Sequence, residues 1–166
     1  LPLGVLFGAL YFIQGLGEPT DGLVAQPTRS LLESWGYSAA RIGLFMAVLS
    51  VPWTLKPVYG LLTDFVPLAG ARRRSYLILA TAVTAVGLAA ASLAPLTPDS
   101  YGWLLSLLLV PAVGIAFSDV VADALMVEKG QPRGLTGRLQ SVQWTAMYAA
   151  MGLVGVVGGH LSEHRL

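Results

Sequence analysis

Long apolar runs alternate with short polar punctuation along this chain, and the runs have helix length rather than the two-residue alternation of strands. A bilayer crossing needs roughly 20 helical residues. Five segments reach that length: about Leu3 to Leu32, Ala40 to Leu62, Tyr76 to Ala94, Trp103 to Val127 and Leu139 to His160. The connections "SWGYS", "PLAGARRRS", "PLTPDSYG" and "EKGQPRGLTG" carry the glycine, proline and serine expected of turns. The first segment is overlong and is interrupted by "GLGEPTDG". It lacks a basic n-region and runs past a typical h-region, so it is not read as a cleavable signal peptide. The pattern predicts an all-α polytopic membrane protein, one bundle over residues 1–166 with five transmembrane helices.

Composition agrees with the pattern. The chain is 55% hydrophobic and 11% charged, against about 25% charged in an ordinary soluble domain. Its formal net charge of +1 gives no basic field to recommend nucleic acid as a partner. There is no cysteine, and the two histidines, His160 and His164, both fall at the end, which makes a poor metal site. No H-E-x-x-H, nucleophile elbow or Gly-rich phosphate loop is present, so an intramembrane enzyme is disfavoured. No cofactor is implied.

Orientation follows from the basic residues. Arg72, Arg73 and Arg74 lie between the second and third segments, and Lys129, Arg133 and Arg138 between the fourth and fifth. Two crossings separate these loops, so they share a side, which the positive-inside rule makes cytoplasmic. The second and fourth segments then run in the same direction. An odd number of crossings ending at "SEHRL" is the pattern expected of a fragment of a longer chain, with a sixth helix to follow.

Six charged residues sit too deep for loops: Glu18, Asp21, Lys56, Asp64, Asp119 and Asp123. A charge at the bilayer centre costs about 2.5–3.5 kcal/mol on insertion scales, so such residues pair, face a watery cavity or carry protons. Lys56 lies eight residues before Asp64, about 12 Å along a helix. Asp119 and Asp123 precede Glu128 by nine and five residues. Lys56 and both aspartates therefore share one slab of the membrane. Asp119 and Asp123, at i and i+4, point the same way. Two readings stand together: an ion-pair network that fixes helix packing, or a site where one carboxylate takes a proton during a cycle.

The first segment offers a second polar face, with Gln14, Glu18 and Asp21 at i, i+4 and i+7. Pro19 removes a backbone hydrogen bond there, and Gly15, Gly17 and Gly22 loosen the helix. Broken membrane helices line cavities and mark binding sites. Alternatively the chain leaves the bilayer after Gly17 and these acids are wet. A short echo between "TDGLVAQ" and "SDVVAD" relates the first two segments to the fourth and fifth in opposite topology, the arrangement of inverted repeats.

The stretch "KPVYGLLTDFVPLAGARRRSYL", with Gly60, Asp64, Gly70 and Arg72–Arg74, resembles the signature between helices two and three of the major facilitator superfamily. The fuller pattern from Lys56 through Pro67 and the triple arginine is similar to the folate–biopterin transporter branch. "SDVVADALMVE" and "YFIQG" fit that branch's fourth and first helices. Ala71 departs from it, since an aromatic residue usually precedes the arginines. The resemblance implies the N-terminal six-helix half of a twelve-helix alternating-access transporter in the cell (inner) membrane. Its partners would be a folate or pterin solute, protons, the lipid bilayer and a C-terminal helical half in the same or another chain. It implies substrate contacts at Gln14, Glu18, Asp21 and Lys56, and proton coupling or an ion pair at Lys56, Asp119 and Asp123. The Gly60, Asp64, Arg72, Arg73 and Arg74 loop would form the gate. Muropeptide and acetyl-CoA permeases of the same superfamily, and a non-transporting scaffold on the same fold, are the alternatives.

Overall fold

The apolar runs fold as helices in the computed structural model, which describes residues 2–68, 70 and 73–163. The first run makes two helices, α1 (Leu3–Gly17) and α2 (Ala25–Ser34). The second also makes two, α3 (Ala39–Thr54) and α4 (Lys56–Phe65), followed by α5 (Arg74–Leu93), α6 (Tyr101–Gly130) and α7 (Thr136–Glu163). Among the described residues, four helical stretches are long and apolar enough to cross a membrane: Ala39–Phe65, Arg74–Leu93, Tyr101–Arg133 and Thr136–His160. The apolar α1 is shorter. The protein is therefore an all-helical, polytopic integral membrane protein.

The first crossing is not one helix from Leu3 to Leu32. Glu18 ends α1 with extended backbone, and Pro19, lacking an N–H, cannot continue the ladder. The chain is then stitched by Gly22 N–H to Glu18 C=O (2.7 Å) and Leu23 N–H to Leu16 C=O (2.9 Å) before α2 starts. A Cβ on Gly22 would fall 2.4 Å from the Glu18 carbonyl oxygen, so this elbow requires glycine. Both pieces run alongside α7 in the same direction, with Gly8 near Val142, Gly15 near Ala150 and Gln26 near Gly158. Together they cover the depth that α7 covers unbroken.

The second crossing bends at Leu55, where Pro57 removes a second backbone donor. The bend places Lys56 at the first position of α4. α3 and α4 run parallel to α6, with Arg41 beside Tyr101 at one end and Arg73 beside Glu128 at the other. α5 returns antiparallel against α6, Gly87 meeting Pro111 and Gly114 meeting Thr84 and Ala80. A Cβ at Gly114 would lie 2.8 Å from the Ala80 carbonyl, so these helices touch through backbone, as small residues permit in membranes.

Two apolar clusters hold the bundle. Leu32, Ile42, Phe45, Leu49, Leu104 and Leu108 join α2, α3 and α6 at one end. Phe7, Tyr11, Ala122, Met126 and Leu139 join α1, α6 and α7 at the other. Large apolar side chains also face outward, among them Ile78, Val86 and Leu93 on α5. Outward apolar side chains of this kind are what a helix long and apolar enough to cross a bilayer presents to hydrocarbon. Glu18, Lys56 and Asp119 lie between the two clusters along their helices.

Candidate functional site

At the elbow, the Glu18 carboxylate turns back onto its own chain. Oε2 accepts from the N–H groups of Thr20 (2.8 Å) and Asp21 (2.7 Å) and from the Thr20 hydroxyl (2.5 Å). Oε1 accepts the indole N–H of Trp53 on α3 at 3.3 Å. A broken helix frees backbone donors that cannot be left unpaired in an apolar interior. Glu18, itself buried, satisfies two of them. Arg29 of α2 donates to the Thr20 carbonyl (2.9 Å) and ties the elbow from the other side. Asp21 is exposed and meets the Thr20 hydroxyl at 3.5 Å.

Lys56 and Asp119 form an ion pair, Nζ to Oδ2 2.7 Å. The Lys56 ammonium also lies 4.4 Å from the centroid of the Trp53 ring, in cation–π contact. Asp123, one turn further along α6, is held by different partners: the Tyr11 hydroxyl donates to it at 2.5 Å and the Gln143 amide at 3.2 Å. Gln14 donates to the Ser118 hydroxyl at 3.2 Å, while its buried Oε1 has no hydrogen-bond partner.

A cavity of about 330 Å³ opens among these groups, lined by Gln14, Glu18, Asp21, Trp53 and Asp119 with apolar cover from Met147. That volume is at the lower end for small-molecule sites, which run from about 300 to 1,000 Å³. A second cavity of about 430 Å³ adjoins it, lined by Lys56, Asp119, Asp123, Gln140, Gln143 and Trp144. Trp53, Asp119 and Met147 line both. Lys56 thus faces the second cavity, whereas Gln14, Glu18 and Asp21 face the first.

At the end of the bundle Arg73 reaches three partners. It donates to the Thr63 hydroxyl (2.7 Å), to Asp64 (2.5 Å) and to Glu128 (3.0 Å), joining α4 to α6. Arg74 is exposed at the start of α5, and Arg72 lies outside the described residues. Gly60 packs toward α6, but a Cβ there would sit 3.9 Å from Val120, an ordinary contact. Among the described residues no cluster of His, Cys, Asp and Glu is arranged to hold a metal.

Trp53 and Gln143 are marked by neither charge depth nor motif, and Tyr11 and Glu128, though they fall in the motifs "YFIQG" and "SDVVADALMVE", are not singled out there as site residues. A weaker signal exists for Trp53 and Tyr11. Trp53 stands at i−3 from Lys56, and Tyr11 at i−3 from Gln14, so each shares a helix face with a polar residue already singled out.

Broken and bent helices thus place charged side chains along two adjoining cavities inside the helical bundle. Residues 20–166 match the BT1 family, and the chain belongs to it. It is 36% identical over 169 residues to the folate-biopterin transporter of Synechocystis sp. (strain ATCC 27184 / PCC 6803 / Kazusa), covering 93% of this chain and 30% of that protein. It is 31% identical over 154 residues to probable folate-biopterin transporter 4 of Arabidopsis thaliana, covering 91% of this chain and 30% of the relative. Folate transporter 1 of Plasmodium falciparum (isolate 3D7) is 23% identical over 112 residues, covering 68% of this chain and 22% of that protein. The chain thus spans about 30% of the length of the first two relatives. No solved structure matches it.

Proposed function

We propose that this chain forms the first part of a secondary active transporter for folate- or pterin-like solutes, coupled to protons and working by alternating access. The observation that carries the reading is the 330 Å³ cavity at the elbow of the first crossing, lined by Gln14, Glu18, Asp21 and Asp119, in a BT1 chain. A pterin offers a 2-amino group and an adjacent ring N–H, which one carboxylate accepts in two parallel hydrogen bonds. Asp21, exposed, and Glu18 Oε1, which meets a single donor, have acceptor capacity for that pair. The unpartnered Gln14 Oε1 adds a third acceptor. Lys56, across Asp119, supplies a cation for the carboxylates of a folate tail.

Proton coupling belongs on this reading to Asp119 and Asp123, which line the second cavity with Lys56. The segment that carries Gly60, Asp64, Arg72, Arg73 and Arg74, with the Arg73 clamp in it, acts as the gate on the cytoplasmic side of the cell membrane. Releasing Arg73 from Glu128 would remove one of the ties between α4 and α6. The five crossings then correspond to part of the N-terminal six-helix half of a major facilitator-type fold, and a C-terminal half completes the path.

Uptake of labelled folate and biopterin tests the reading, using the full-length chain in cells lacking their own carrier, with and without a proton gradient. Saturable, gradient-dependent uptake is expected, falling at least about tenfold in Asp119→Asn. Well-expressed protein that takes up neither compound would sink the pterin assignment.

A further inference from the structure

Trp53 touches both charged centres. Its indole N–H donates to Glu18 Oε1 at 3.3 Å, and its ring face lies 4.4 Å from the Lys56 ammonium that pairs with Asp119. Of the four donors on the Glu18 carboxylate, three come from the elbow at 2.5–2.8 Å, and the indole makes the longest bond. Trp53 is also half-buried in the wall shared by the two cavities. Glu18 and Lys56 are thereby linked through one rigid side chain, which has only two rotatable side-chain bonds.

We infer that Trp53 is the positioning residue that couples the elbow cavity to the Lys56–Asp119 pair. The inference rests on the transport reading above and specifies how its two cavities communicate. A solute N–H arriving at Glu18 Oε1 competes with the weakest of the existing donors, the indole. Once that bond is lost, the ring is free to turn, and the cation–π contact that helps hold Lys56 against Asp119 goes with it. Occupation of the first cavity then loosens the ion pair facing the second. In reverse, a change at Lys56 or Asp119 alters which face Trp53 offers Glu18, because coupling of binding equilibria is reciprocal. No other side chain among the described residues contacts both Glu18 and Lys56 through a hydrogen bond or ring contact. Asp21 and Arg29 surround the elbow, and neither replaces this link.

A double-mutant cycle tests the coupling without any solute. The full-length purified chain would carry Glu18→Gln, Lys56→Met or both, in the parent and in a Trp53→Phe background. Trp53→Phe keeps an aromatic face for Lys56 and removes only the donor to Glu18, so it is the substitution least harmful to folding. In the parent, the losses in Tm are expected to depart from additivity by about 2–4 °C. In Trp53→Phe the departure should shrink to what bare charge–charge attraction leaves, less than half the parent value. Additive losses in the parent, or the same departure in both backgrounds, would overturn the inference. If Glu18→Gln fails to fold, Trp53→Leu, which removes the ring, and Lys56→Met form a two-residue cycle, in which additivity would overturn the ring contact with Lys56. Uptake of biopterin by the same proteins separates the two ideas. Coupling without uptake defeats the solute reading alone, and uptake with additive Tm losses defeats only the role of Trp53.

Discussion

Lys56–Asp119 and the Arg73 cluster are both made of basic groups held against carboxylates, but in different surroundings. The difference lies in the carboxylates: Asp119 is 6% exposed in its side chain beside a Lys56 that is 37% exposed, whereas Asp64 and Glu128 are 53% and 47% exposed around an Arg73 that is 13% exposed. Removing Lys56 from the first site strands a carboxylate among apolar helices. Removing Arg73 from the second leaves two carboxylates that water already reaches. The same ionic contact is therefore a structural commitment in one place and a reversible fastening in the other. A fastening that opens at small cost suits a gate; a pair that opens only when something replaces it suits a coupling site.

The largest expected effect is from Lys56→Met alone, which leaves the buried Asp119 carboxylate without its ammonium and should cost about 3 kcal/mol of stability. Chemical unfolding of the full-length protein in mild detergent would measure it. The double substitution Lys56→Met with Asp119→Leu should recover most of that loss while abolishing coupled uptake. If the double variant is as unstable as the single one, the pair is not the cause.

Next comes Arg73→Ala, expected to cost about 1–2 kcal/mol, since two of the three partners it gives up, Asp64 and Glu128, are carboxylates already half exposed. Arg73→Lys should recover only part of this, because an ammonium cannot hold Thr63, Asp64 and Glu128 at once with the planar fork of arginine. Full recovery by lysine would mean that charge alone matters there. The smallest effect is that of salt. Raising ionic strength from about 0.05 to about 0.5 M should erode the Arg73 contribution and leave the Asp119 contribution nearly intact. Equal erosion of both would remove the contrast between the two sites.

Much of this layout is legible in the sequence, and the reason lies in the bilayer. Helix length fixes depth at 1.5 Å per residue, so counting to Asp64 and Glu128 places Lys56 and Asp119 in one slab, where the structure puts them in contact. The break in the first crossing is legible because Pro19 and the glycines around it remove ladder bonds whatever the tertiary context. The partners of Asp123 are not. Spacing puts it on the same face as Asp119, yet a small rotation about α6 turns it to Tyr11 and Gln143, and rotation is set by packing. Nor does spacing reveal that Glu18 serves the elbow, because that bond pattern exists only once the chain has turned. Trp53 escapes for another reason: its spacing marks a face shared with Lys56 and says nothing of its second contact, with Glu18.

The contact between α5 and α6 carries a further consequence, for how this protein can vary. Gly114 rests on the Ala80 carbonyl and Gly87 on the Pro111 ring, where even a methyl group would lie 2.8 Å and 2.6 Å from those atoms. Every single-nucleotide change that replaces a glycine adds at least that methyl. Neither backbone nor proline ring can yield as a flexible side chain would. The lipid-facing side of α5, where Val86 is 67% exposed, is free to drift among apolar residues. Within a few ångströms, one helix therefore carries positions that inheritance can rewrite freely and positions where the shortest mutational step already falls off the fold.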